Sequence, residues 1–254
     1  MSTPEDSARA IFGQRATFYT TSTAHTDPQV LQRVIELASP EPSWKGLDVA
    51  TGTGHTALAL ASHLKEMTGT DITPEMLAEA ERLRENQGLA NVTFMLADVH
   101  HLPFADGSFD LVTCRRAAHH FSDIRRAIAE MRRVLRPGGR LVIDDRSVPE
   151  DDFVDRCMNR LDYLHDTSHV RQYRPGEWET MLREAGMEVE TVETYTRHRP
   201  LSSLTEGVSD ENVAAIEAAL EELTPEQRNA LNLTETDGVR SINHWYLMVS
   251  AVRK

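Results

Sequence analysis

The ten residues Leu47-Asp48-Val49-Ala50-Thr51-Gly52-Thr53-Gly54-His55-Thr56 constrain the fold more than any other stretch of the chain. An apolar run breaks at two glycines one residue apart and passes into a helical run, Ala57 to Leu64, so the segment reads as strand, glycine turn and helix. Glycines there let a backbone approach a ligand closely, and the helix N-terminus presents N–H groups without partners. Further strands are expected at Gly46–Ala50, Met67–Asp71, Val92–Leu96, Phe109–Cys114 and Gly139–Asp144, with helical periodicity between them, the pattern of βαβ units in a mainly parallel sheet. Thr73-Pro74 opens one intervening helix with Met76, Leu77, Ala80 and Leu83 on its buried stripe. Ser122-Asp123 opens another, with Ile124, Ile128, Met131 and Leu135 on one face and a stop at Pro137-Gly138-Gly139.

The last third departs from that rhythm: a helix at 177–185, a strand at 187–196, a polar stretch with helical spacing at Val213, Ile216, Leu220 and Leu223, a capping box at Thr224-Pro225-Glu226-Gln227, and a strand at 245–252. Two helices are expected before Pro40, joined to the sheet by Pro40-Glu41-Pro42-Ser43. At 254 residues the chain divides as 1–40 (N-terminal helices), 41–145 (the sheet with its glycine turn) and 146–254 (a cover and the closing strands). Cys114 and Cys157 support no disulfide framework and fit a reducing cytoplasm. No leader pattern and no apolar run of about 18 residues is visible, so a cytoplasmic protein without membrane insertion is expected. The net charge of −13 repels a phosphate backbone, and the arginine pairs form no basic strip, which argues against a nucleic-acid partner.

Taken alone, the glycine turn is ambiguous. Gly52-x-Gly54-x-x-Ala57 also fits a dinucleotide fingerprint, with Asp71 following about 20 residues on as a ribose partner. What separates the alternatives lies downstream, in Ala97-Asp98-Val99 and the run Leu102-Pro103-Phe104, Asp106 and Ser108-Phe109-Asp110. Together with Asp71-Ile72-Thr73 and Met76-Leu77 after the second strand, and Arg133-Val134-Leu135-Arg136-Pro137-Gly138-Gly139 before the fifth, the chain from residue 10 onward resembles the class I S-adenosylmethionine-dependent methyltransferases. The likeness is to the small-molecule branch near the quinone-biosynthesis C-methyltransferases. Ala50 stands where the family usually has the first glycine of its turn. The resemblance implies an α/β fold: a doubly wound, seven-stranded, Rossmann-like sheet with an antiparallel last strand, N-terminal lid helices and a C-terminal helical insertion. It also implies S-adenosyl-L-methionine as cofactor. Asp48 and the backbone of Ala50, Thr51, Gly52 and Gly54 would hold its methionine part, with Arg115 beside them. Asp71 would take both ribose hydroxyls, Ile72 and Met76 would flank the adenine, and Asp98 and the Val99 N–H would meet its polar edge. Asp98 also fits a simple turn cap.

Methyl transfer needs alignment and dehydration more than strong catalysis, and a base only when the acceptor carries a proton. His119 and His120, after the fourth strand, suit that task at neutral pH. Extended chain would send their rings opposite ways, favouring His120 for the pocket and leaving His119 to pack inside. Tyr19, on a segment with Phe12, Arg15, Ala16 and His25 that resembles the family's lid helix, is a third candidate at the reacting centre. Arg115 and Arg116 could clamp an anionic acceptor, and Asp144, Asp145 and Arg146 end the fifth strand on the same side. The 146–174 region, with Tyr163, His165, His169, Arg171 and Tyr173, would roof the acceptor together with residues 198–240. No metal site is expected, since no metal-ligand spacing joins His119 or His120 to Asp144, Asp145 or His169. The acceptor is expected to be a small molecule, with the methylated atom and oligomeric state open. The rivals are an NAD-dependent oxidoreductase and a catalytically silent cofactor-binding subunit.

Overall fold

The computed structural model describes residues 4–254. Residues 1–3, part of the expected N-terminal lid segment, lie outside the described residues. The chain begins with helices α1 (Pro4–Thr21), α2 (Thr23–Thr26) and α3 (Pro28–Ala38). It then alternates β1 (Lys45–Val49), α4 (His55–Ala61), β2 (Glu66–Asp71), α5 (Pro74–Asn86), β3 (Val92–Leu96), β4 (Phe109–Arg115), α6 (Ile124–Val134) and β5 (Leu135–Ser147). The last part holds α7 (Asp152–His165), α8 (Pro175–Glu184), β6 (Met187–Pro200), α9 (Ser202–Thr205), α10 (Asp210–Glu221), α11 (Pro225–Ala230), β7 (Thr234–Thr236) and β8 (Val239–Arg253). The sheet order is β3-β2-β1-β4-β5-β8-β6, with β7 paired only to β8. Strands β1 to β5 run parallel, and β8 is antiparallel to both β5 and β6. The order reverses between β1 and β4, the place where ligands bind in open α/β sheets.

Three boundaries depart from the sequence reading, each for a local reason. The N-terminal segment has three helical pieces instead of two, because the Asp27 carboxylate accepts from the N–H groups of Gln29 and Val30 and Pro28 restarts the helix. Helix α6 ends at Val134, not at the Pro-Gly-Gly triplet. Leu135 already pairs with Phe109, and the triplet lies within β5 where the β4–β5 ladder shifts register. A Cβ on Gly139 would sit 2.9 Å from the Arg136 carbonyl, so only glycine fits that shift. The sheet has an eighth, three-residue strand because β8 starts at Val239, ahead of the expected 245, and folds back on β7 across Asp237-Gly238, both at positive φ.

Both faces of the sheet are covered. Helices α6 and α8 pack Ile128, Met131, Trp178 and Leu182 against Val112, Leu141 and Ile143 on one side, while α3 and α4 pack Val34, Leu58 and Leu60 against Leu111 and Val142 on the other. A third cluster joins Met158 and Leu161 of α7 to Ile216 and Leu220 of α10, forming a separate roof beyond the carboxyl ends of β4 and β5. None of the three clusters contains a described residue before Val30; of α1, only Ala8 and Ala16 are fully buried apolar side chains. Removal of residues 1–26 is therefore expected to leave a folded circular dichroism spectrum, lowered only by the helical signal of α1 and α2, and one cooperative thermal transition, because no large apolar side chain of the three cores is lost. An aggregated or unfolded truncation product would show that α1 belongs to the core.

Candidate functional site

Two buried carboxylates build the turn after β1. Asp48 accepts from the hydroxyls of Thr51 and Thr113, each at 2.6 Å, which ties the turn to its neighbour β4. Asp71, at the end of β2, accepts from the Gly52 N–H at 2.8 Å and the Thr73 N–H at 2.9 Å, so it holds the turns after both strands. Ala50 sits at φ 50°, a left-handed conformation that costs a non-glycine residue about 1–2 kcal/mol. Gly52 also has positive φ, and a Cβ there would meet nothing within 4 Å, because the space beside it is cavity.

That space is a cleft at the carboxyl ends of β1, β2 and β4, partly open to solvent. Asp48, Ala50, Thr51, Gly52, Asp71, Ile72, Met76, Asp98, Val99 and Arg115 all line it, together with Glu5, Ala8, Phe12 and Tyr19 of α1. Gly54 does not; it packs against Phe94, where a Cβ would approach to 2.8 Å. The N–H groups of Thr51, Gly52 and Gly54 bond to Thr70, Asp71 and Thr51, so the turn offers a ligand its shape and carbonyls more than the N–H cradle expected from the sequence. Asp98 takes the turn-cap role that the sequence also allowed: one of its oxygens accepts from the His100 N–H and pairs with the His100 ring. The Val99 N–H finds no acceptor among the described residues. Arg115, almost wholly buried, donates from Nε to the Thr56 hydroxyl and from Nη2 to the His25 carbonyl, while its buried Nη1 has no hydrogen-bond partner.

A second cavity lies under α1 and against α7 and α9, lined by Arg15, Phe18, His119, Arg146, Asp162, His165, Asp166, His169 and Arg199 among others. Phe12, Tyr19, His25, Arg116 and His120 line both cavities and form the wall between them. His119 and His120 are not extended. They sit on a 3₁₀ turn (Ala118–His120) with ring centroids 4.1 Å apart, so both rings reach the same side. The His119 ring pairs with Asp145 at 2.6 Å. Burial pushes His119 well below the usual imidazole range, and His120 also titrates low because its desolvation outweighs Asp166 and Asp145 nearby. Burial raises the Tyr19 hydroxyl, aided by Asp166, so it is a proton donor at neutral pH and no base. Arg116 is no free clamp: at φ 56° its Nε bonds to Asp144 at 3.0 Å, its Nη2 to the Tyr195 hydroxyl, and its guanidinium stacks over Tyr246.

Of the expected roof, His165 and His169 line the second cavity; Tyr163 is exposed, Arg171 pairs with Asp155 and Glu177, and Tyr173 packs on Trp178. Asp144 and Asp145 stand behind the wall as partners of Arg116 and His119. Among the described residues, no group of three His, Cys, Asp or Glu side chains has the arrangement of a metal site, and no helix is long and apolar enough to cross a membrane. Asp162, Asp166 and Ser168 were missed. The Asp-x-Ser spacing of Asp166 and Ser168 is a side-chain-to-backbone turn signal, but nothing in sequence links it to His120.

A family model described as "Methyltransferase domain" matches residues 47–143. The chain is 39% identical over 171 residues to an uncharacterized methyltransferase, YcgJ, of Bacillus subtilis, covering 67% of this chain and 68% of the relative. The crystal structure of that protein is similar, with a TM-score of 0.83 at 32% identity over 88% of this chain and 97% of the other. A demethylmenaquinone methyltransferase of Thermus thermophilus is 45% identical over 114 residues, 44% of this chain and about half, 51%, of the relative.

Desolvation raises Asp48, Asp145 and Asp162 to about 6. The unfolded chain releases these protons first, near pH 4, so each of the three makes the fold less stable as pH rises from about 4 to about 6. Asp162 is the extreme case: Arg146 Nη2 lies 2.8 Å away, yet neither carboxylate oxygen has a donor in hydrogen-bonding geometry. Asp162→Asn is expected to reduce the stability lost between pH 4 and pH 7 by about 1–3 kcal/mol relative to the parent protein, measured by urea unfolding at each pH. Parallel pH profiles for the two proteins would show that Asp162 is ionised normally.

Proposed function

The chain belongs to the class I methyltransferase family, and on that footing we propose that its methyl donor is S-adenosylmethionine and its acceptor a small molecule. The observation that carries this reading is the pair of cavities meeting at one wall: a donor pocket built on the β1 and β2 turns and an acceptor cavity beneath α1 and α7. The residues fit the donor. Asp71 has spent one lone pair of each oxygen on Gly52 and Thr73, which leaves the others for a vicinal diol such as the ribose. Ile72, Met76, Ala97 and Val99 form an apolar slot for a purine, with the unpaired Val99 N–H and the Asp98 carboxylate at its edge. Nη1 of Arg115, 4.0 Å from the Asp144 carboxylate but without a hydrogen bond, is left to meet a carboxylate at the opposite end, the amino-acid part.

S-adenosylmethionine supplies an activated methyl group on a sulfonium. The protein's part is to bind, align and keep water out, and positioning of that kind can lower a barrier by about 7–11 kcal/mol. Helix α1 serves as the lid. Its Ala8, Phe12 and Tyr19 close the donor pocket, and it is held at the rim by Arg9 Nε donating to the Ile72 carbonyl and by Thr20 donating to Glu79. On the dividing wall, Tyr19 orients the acceptor by donating a hydrogen bond, and His120 takes its proton. His119, fixed by Asp145, supports the turn that carries His120.

Two measurements test the reading. Purified protein incubated with small phenols, thiols, quinols and amines is expected to release S-adenosylhomocysteine with at least one of them; release with none, alongside tight donor binding, would favour a silent subunit. In calorimetry, Asp71→Ala is expected to weaken S-adenosylhomocysteine binding by about 10- to 150-fold, the equivalent of about 1.5–3 kcal/mol for hydrogen bonds to a charged acceptor. Unchanged affinity would place the donor elsewhere.

A further inference from the structure

The loop after α7 carries a hydrogen-bond chain that ends on His120. Asp166 accepts from the Ser168 hydroxyl at 2.6 Å and from the Ser168 N–H at 2.9 Å, and the same hydroxyl lies 3.1 Å from His120 Nδ1. The directions follow from the donor inventory. Asp166 is ionised at neutral pH, its pKa held below the usual carboxylate range by His120 and by the Ser168 bonds, so it can only accept, and the single Ser168 proton is committed to it. The Ser168 oxygen is left as an acceptor, and His120 Nδ1 must carry a proton to meet it. The Ser168 backbone adds a further hydrogen bond to the imidazole, and the ring that carries the other nitrogen, Nε2, lines both donor pocket and acceptor cavity. The backbone clamps the loop in place: the N–H groups of Val170 and Arg171 both donate to the His119 carbonyl. Ser168 itself is fully buried, so water does not compete for its hydroxyl.

We propose that Ser168 and Asp166 are positioning residues that hold His120 in the Nδ1–H tautomer, so that its bare Nε2 faces the acceptor as the base of the transfer. This rests on the methyl-transfer reading above. The step balances without a further reactant: the acceptor's O–H, N–H or S–H proton passes to Nε2, its electron pair bonds the methyl carbon, and the pair of the breaking carbon–sulfur bond returns to sulfur. The imidazolium, facing Asp166 through Ser168, later gives its proton to water. His119, whose Nδ1 is fixed directly by the Asp145 carboxylate, lines only the acceptor cavity and stands off the shared wall. The charged and titratable groups around His120 are Asp166 and His169 on the loop, Asp145 and Arg146 on β5, Arg116 just after β4, and its neighbour His119; α1 presents Phe12, Tyr19 and, in the acceptor cavity, Arg15, and α2 presents His25.

The test is nitrogen NMR of the full-length protein labelled with 15N-histidine, with the His120 signals assigned by their loss in His120→Gln. The parent protein is expected to show the Nδ1–H form in at least about tenfold excess, the ratio one buried hydrogen bond sustains. Ser168→Ala is expected to move the population toward Nε2–H, and Ser168→Thr to restore it. Asp166→Asn removes the negative charge that favours the imidazolium, so the His120 titration midpoint falls. A parent protein with the proton on Nε2, or a Ser168→Ala variant with an unchanged tautomer, overturns the proposal; the parent spectrum decides even if a variant fails to fold. S-adenosylhomocysteine calorimetry on the same samples separates the two readings. Absent binding with the Nδ1–H form present defeats the donor assignment, whereas normal binding with the Nε2–H form present defeats only the relay.

Discussion

The carboxylate of Asp71 is the constraint on which the site depends. Parallel strands β1 and β2 end side by side, and their turns would splay independently were it not for one side chain that accepts an N–H from each. Asp48 does the same between β1 and β4 through two threonine hydroxyls, so three strand ends are fixed by two buried acids. Burial raises the pKa of both, and the donors around them hold it down again. The turn is rigid because its polar groups are consumed internally. That rigidity is also why it presents carbonyls and open space to a ligand, with few free N–H groups. The strained Ala50 backbone persists for the same reason, since bonds on either side of it over-determine the path.

On the far side of the cavity the same logic runs through Asp144. Its carboxylate accepts from Arg116 Nε and the Tyr195 hydroxyl, Arg116 Nη2 closes the triangle on Tyr195, and Tyr246 stacks beneath both. Removing two charges from water costs several kcal/mol, and only a saturated set of partners recovers it. What the arrangement achieves is placement: a left-handed Arg116 at the end of β4 is followed at once by the turn that carries His119 and His120. The strand end and the histidine turn are therefore set by the closing strands β6 and β8, which arrive some 80 and 130 residues later in the chain.

Period and punctuation made the sheet legible from sequence. The β-branched runs and the Thr73-Pro74 and Thr224-Pro225 starts are local signals, and strands and helices appear where they point. Residues lining the first cavity were legible as well, because Asp48, Asp71 and Asp98 each sit at or near the end of a strand the pattern locates. The wall between the two cavities was not. Whether His119 and His120 lie in extended chain or on a 3₁₀ turn depends on the Asp145 carboxylate receiving the His119 N–H, a contact 26 residues away in sequence. Ser168 lies 48 residues from His120, and the Pro-Gly-Gly triplet stops no helix because β4 captures Leu135 first. Such outcomes follow from which long-range partner wins, and a single sequence carries no trace of that competition.

Helix α1 unites the two halves of the site. Phe12 and Tyr19 line both cavities, with the Phe12 ring edge-on to His120 at 5.0 Å and the Tyr19 ring edge-on to His25 at 4.9 Å. A displacement of this helix would alter the walls of both cavities at once. Its attachments are polar bonds to Ile72, Glu79, Gly207, Ser122 and His55, with no large side chain seated in the three hydrophobic clusters. Polar rim bonds exchange readily with water, at a net worth of about 0.5–1.5 kcal/mol each, whereas a buried leucine or phenylalanine would anchor the helix more firmly. The chain thus differs in bond type from one part of the site to the other, with saturated buried acids at the strand ends and exchangeable bonds where α1 rests over the cavities.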